Sequence, residues 1–87
     1  MQLSRRAGAR YSHALMKRFD TRALYAALDR QRQARGLSWQ DLGRAIGVSP
    51  STIMRTRDGG RLEVDGMLAM VAWLDRPVED FVRDRTT

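Results

Sequence analysis

Pro50, Ser51, Met54 and Arg55 recur at helical spacing on one side of the segment PSTIMRTR, and Ile53 falls on the other. A short helix of this kind has one anchored face and one displayed face. The displayed groups suit recognition: a guanidinium with parallel N–H donors, a hydroxyl that donates and accepts, and a thioether for apolar contact. Catalysis finds less material. No nucleophile has a spaced base, and the carboxylates are scattered among arginines without a catalytic pattern, so the chain is read as a non-enzyme. His13, the only histidine, has no histidine or cysteine companion; it is read as a surface or packing residue, and neither metal nor cofactor is expected.

The displayed segment needs elements to hold it. Ser38 stands as an N-cap with Asp41 three residues on, an S-x-x-D capping box that predicts a helix start. Leu42, Ala45 and Ile46 form its inward stripe, and Gly47 supplies the left-handed conformation a helix end often requires. Ser49 caps the next helix and Pro50 takes its first position, so this helix runs from Pro50 through about Arg57 and stops before Asp58-Gly59-Gly60. Gly43, inside the first helix, gives up about 1 kcal/mol of propensity against alanine, which predicts another backbone close to its surface.

Taken together, Leu42, Gly43, Ile46, Gly47, Val48 and Ile53 resemble the phage-repressor and Cro-like helix-turn-helix family, over about residues 22–82. The resemblance implies an all-α, compact five-helix repressor-like domain. Its second and third helices would form the recognition unit, and the expected function is sequence-selective binding of double-stranded DNA by a small transcriptional regulator, as a homodimer. A third helix in the major groove would place Ser51 and Arg55 at base edges, Arg55 matching guanine O6 and N7, with Met54 against a thymine methyl. By family position, Trp39, Thr52, Arg57 and Arg61 would lie along the DNA backbone. The chain departs from the family at Pro50, where a polar base reader is usual, and at Thr56, where a larger apolar anchor is usual and looser packing is expected. Arg57 replaces a usual acidic residue and would repel Arg32, with Asp58 or Asp29 available to compensate. The different-class alternative is a protein-interaction accessory module with a helix-turn-helix-like fold, using Met54, Met70 and Trp73 on a protein partner.

The flanking segments supply the core. Asp20 or Thr21 caps a helix through about Arg35, closed by Gly36, with Leu24, Ala27 and Leu28 inward and Tyr25 at an edge. After Gly59-Gly60, Asp65 starts a helix with Met67 or Leu68, Val71 and Leu74 facing the core; Arg76-Pro77 interrupts it before a short VEDFV helix carrying Phe81. Met70 and Trp73 are left on a different face, to be hidden either by a second copy or by the N-terminal segment of the same chain.

Eighty-seven residues fit one small domain, and the absence of cysteine leaves packing or oligomerisation to stabilise it. The net charge of +6 is uneven: the chain through Gly36 carries +7 and the remainder −1, which favours a polyanion approached by the first part. Residues 1–20 are read as a basic arm or accessory helix, 21–82 as the domain, and 83–87 as a frayed tail. Arg5, Arg6 and Arg10 are the arm's candidate DNA contacts, by phosphate or minor groove. Tyr11, Leu15 and Phe19 are spaced for a short helix capped by Ser12, and Met16-Lys17 is an alternative start of the compact domain. No apolar run approaches the roughly 20 residues of a membrane span, and the start lacks a secretory pattern, so a soluble, cytoplasmic protein is expected.

Overall fold

Each helix begins and ends where local chemistry satisfies its open backbone groups. In the computed structural model, which describes residues 17–84, α1 spans Thr21–Ala34, α2 Trp39–Ile46, α3 Pro50–Arg57 and α4 Val64–Leu74. The Asp20 carboxylate accepts the Ala23 N–H at 2.9 Å to open α1, and Gly36 at φ 67° follows its end. Both bonds of the Ser38–Asp41 capping box are present, and Gly47 closes α2 at φ 92°. Ser49 caps α3, with Pro50 in its first turn. Asp75, at φ 57°, ends α4 in the left-handed conformation that aspartate tolerates better than most residues.

The chain is mostly helical, but the fifth helix is replaced. Val78–Phe81 forms one 3₁₀ turn, and Val82–Asp84 leaves it as strand β2, antiparallel to β1 at Lys17–Phe19. VEDFV, confined behind Pro77, is too short to repay helix nucleation. Its last residue, Val82, pairs with β1 instead. The residues expected to fray therefore begin in a strand, and Phe19, expected to end a helix, pairs with Val82 and packs on Phe81 with ring centroids 6.0 Å apart. The Asp20 N–H donates to the Phe81 carbonyl at 2.6 Å, joining this small sheet to the start of α1. β2 crosses the domain boundary expected at 82, and β1, from the segment expected to lie outside the domain, pairs with it. The Ser12 cap and the start of the Tyr11–Phe19 helix lie outside the described residues.

The core is built by Leu24, Ala27 and Leu28 of α1, Leu42 of α2, Ile53 of α3, Met70, Val71 and Leu74 of α4, and Phe81. α1 packs against both α3 and α4, so one helix spans the bundle and the others close on it. Burial of a side chain such as Ile53 or Leu28 contributes about 1.5–3 kcal/mol. Two assignments are corrected: Ala45, expected inward, is exposed, and Met70, expected on a different face, is fully buried. Of the alternatives Met67 and Leu68, Met67 is half-buried and Leu68 is 49% exposed. The α4 segment VDGMLAMVAWL is apolar nearly all round, so packing against α1 and not periodicity sets its rotation. It begins one residue before Asp65, after Glu63. No helix among the described residues is long and apolar enough to cross a membrane.

Candidate nucleic-acid interface

Gly43 fixes how α2 meets α3. A β-carbon there would lie 2.7 Å from the Val48 carbonyl oxygen and 3.4 Å from Pro50 Cδ, so only glycine lets the turn lie directly on α2. Gly47 and Val48 both donate their N–H to the Gly43 carbonyl, at 2.7 and 3.0 Å. Three residues, Gly47–Ser49, thus join the helices in a turn bonded back onto α2.

Within α3, Ile53 and Thr56 form the buried side. Thr56 does not loosen the packing: it is fully buried and its hydroxyl donates to the Ile53 carbonyl at 2.6 Å, so the polar atom is satisfied inside its own helix. Ser51 and Arg55 are exposed on the other side, as their spacing required. Met54 is half-buried and packs against the core, leaving only part of its side chain on the surface. Ser49 Oγ shares hydrogen bonds with Thr52 Oγ1 at 2.9 Å and Ser51 Oγ at 3.3 Å, making a hydroxyl cluster at the start of α3.

Arg55 makes no ion pair among the described residues. It lines a cleft of about 340 Å³ between α3 and the start of α4, together with Thr52, Glu63 and Asp65. Two exposed carboxylates therefore share the cleft with the expected guanine reader. Sequence reasoning missed this neighbourhood, since Glu63 and Asp65 lie eight and ten residues downstream and line the cleft with Arg55 only after the chain turns at Gly59-Gly60.

The expected backbone contacts divide. Trp39 is part of the scaffold: its ring stacks on Tyr25 with centroids 5.4 Å apart and planes 13° from parallel, and the Arg32 guanidinium carbon sits 4.3 Å from the ring centroid. Arg32 also bonds Asp29 at 2.8 Å and donates to the Leu37 carbonyl, tying α1 to the entry of α2. Hydrogen bonds from Gln33 and Arg32 hold the Asp29 carboxyl below its ordinary pKa. Arg57 is exposed and lies 3.4 Å from Asp58, so Arg32 and Arg57 each have their own carboxylate, and both compensations open at the sequence level occur. At the start of α2, Asp41 is likewise held low by the Ser38 hydroxyl, the Ser38 N–H and Arg44. Arg61 is exposed, across the Gly59-Gly60 loop in a second cleft with Arg18 and Arg22. Arg5, Arg6 and Arg10 lie outside the described residues.

The expected apolar interface is also corrected. Met70 belongs to the core, because the rotation of α4 turns it inward beside Val71 and Leu74. Trp73 is half-buried, with the Arg35 guanidinium 4.6 Å from its ring centroid. Among the described residues, the large apolar side chains left exposed are Val64, at 62%, and Leu68, four residues apart on α4.

No protein-family model, curated protein or solved structure matches the chain.

Proposed function

We propose that the chain binds double-stranded DNA with sequence selectivity, as a small cytoplasmic transcriptional regulator of the repressor-like helix-turn-helix kind. The observation that carries this reading is the division of α3. Ile53 and Thr56 lock one side into the core while Ser51 and Arg55 stand exposed on the other, at the end of a turn bonded onto Gly43. A helix held so firmly can present a fixed donor pattern to a major groove, where Arg55 would bond guanine O6 and N7 and Ser51 and the exposed part of Met54 would contact neighbouring bases. Thr52, Arg57 and Arg61 would position the protein on phosphates. Two copies would meet through Val64 and Leu68, replacing the expected surface containing Met70.

Selection from random duplexes, with the folded protein at low salt, tests the reading. A recovered motif whose guanine preference falls by about 1–3 kcal/mol in Arg55→Ala supports it. The acidic pair beside Arg55 and the exposed Val64 and Leu68 favour a second reading, a module that binds a protein instead of DNA. Failure to recover any motif selects that reading.

A further inference from the structure

Three arginines from three separate segments line one open cleft of about 990 Å³: Arg18 on β1, Arg22 in the first turn of α1, and Arg61 after the glycine pair. Among the described residues Asp20 is the only carboxylate lining it, and both of its oxygens are engaged. One accepts the Ala23 N–H and the other lies 3.3 Å from Arg83 Nε. Neither Arg18 nor Arg61 has an ion pair among the described residues.

The backbone is arranged to hold these charges together. Arg18 stands directly opposite Arg83 in the β1–β2 register, a like-charge pairing that destabilises a sheet, and Arg83 takes the Asp20 carboxylate. Arg22 donates from Nη2 to the Asp58 carbonyl at 3.1 Å, which leaves its other donors unspent. Its guanidinium occupies the space a side chain at residue 59 would need: a β-carbon on Gly59 would lie 3.0 Å from Arg22 Nε. The glycine loop is thus a seat for Arg22, and the three arginines line space large enough for a ligand.

We propose that this cleft is a phosphate-binding site, with Arg18, Arg22 and Arg61 as its donors. Planar guanidiniums with free N–H groups match phosphate oxygens in pairs, and a phosphate would supply the counter-charge that Arg18 and Arg61 lack among the described residues. The phosphate can belong to a DNA strand passing the C-terminal end of α3, which leads through Gly59-Gly60 into the cleft, or to a free phosphate compound. The site does not depend on what α3 reads.

Titrating the isotope-labelled full chain with pyrophosphate, followed by amide and arginine side-chain NMR signals, tests the proposal. Shifts should concentrate at Arg18, Arg22, Gly59, Gly60 and Arg61. Arg61→Gln should weaken binding about tenfold, the loss of roughly one charge-assisted hydrogen bond, while Arg44→Gln should not change it. A parallel titration with duplex DNA separates the sources. If DNA moves the same signals and competes with pyrophosphate, the phosphate is that of the strand; if pyrophosphate alone moves them, the ligand is a small phosphate compound, and the cleft stands even when DNA binding by α3 fails. Shifts spread over all arginines, an undiminished response in Arg61→Gln, or silence toward both probes would overturn the site, whatever α3 does.

Discussion

Gly43→Ala should destabilise the protein although alanine is the better helix former. The new β-carbon would meet the Val48 carbonyl oxygen at 2.7 Å, closer than real β-carbons are found, and that oxygen belongs to backbone. Val48 cannot simply retreat, because its own N–H donates to the Gly43 carbonyl at 3.0 Å and Gly47 bonds the same oxygen. Overpacking costs about 1–3 kcal/mol, and a clash with backbone that is bonded in place belongs to the upper half of that range. The propensity gain returns about 1 kcal/mol, leaving a net loss of about 1–2 kcal/mol. In a domain this small that is a fall in Tm of roughly 5–15 °C. Gly66→Ala in α4 is the internal control. Its β-carbon would lie 3.8 Å from Thr52 Cγ2 and 4.0 Å from Val48 Cγ1, ordinary contact, so alanine should raise Tm by several degrees. Parallel thermal unfolding of parent and both variants decides the matter. If both alanines stabilise equally, the turn yields freely, and the angle between α2 and α3 is not set by the Gly43 contact.

Ile53→Asp should cost about 3–5 kcal/mol, since it places a carboxylate at a fully buried position; an unchanged unfolding midpoint would show that α3 does not pack by this face. Asp41→Asn should lower Tm at neutral pH and lose that effect in acid: because the folded pKa is depressed, the charge stabilises the protein above the ordinary carboxylate value of 3.8 and ceases to do so as pH falls through the lowered one. Thermal scans of both proteins from about pH 7 to pH 3 would expose an error if the gap between them stayed constant. Replacing Glu63 and Asp65 together by their amides should tighten DNA binding severalfold at low salt, with the advantage shrinking as salt screens it; fluorescence anisotropy showing no gain would place the DNA away from this cleft.

The parts legible in the sequence were those fixed by near neighbours. Ser38 with Asp41, Gly47, and Ser49 with Pro50 each settle a helix end within about one turn, and the structure places α2 and α3 at those ends. Gly43 was legible as a close approach because glycine inside a helix otherwise costs stability. What could not be read depended on contacts between distant segments. Three-residue strands carry too little alternation to show a period, and Phe19 finds its place through Phe81, 62 positions away. Met70 turns inward, and Met67 and not Leu68 is the more buried of that pair, because an apolar helix has no unique inner face until α1 packs on it. At the candidate interface, Ser51 and Arg55 followed from spacing within one helix, whereas the carboxylates beside Arg55 and the convergence of Arg18, Arg22 and Arg61 arise only when the chain folds back.

Thr56 bears directly on the proposed recognition. A hydroxyl facing the core would cost stability if left open, yet its bond to the Ile53 carbonyl lets a small residue fill the site without a longer apolar anchor. α3 can then sit close to α1 on a narrow stripe formed by Ile53 and Thr56, and the rest of its short surface is released outward. That surface offers few donors, since Pro50 supplies no side-chain hydrogen bond and Met54 is half withdrawn toward the core. Selectivity in the proposed complex must therefore rest heavily on Arg55. In that complex Glu63 and Asp65 would sharpen its role: they would weaken indiscriminate attraction between Arg55 and any phosphate, so that the guanidinium would gain most where a guanine edge offers two acceptors in register. General affinity would then come from arginines outside that cleft, and the two groups separate experimentally because only Arg55 should change which sequence is preferred.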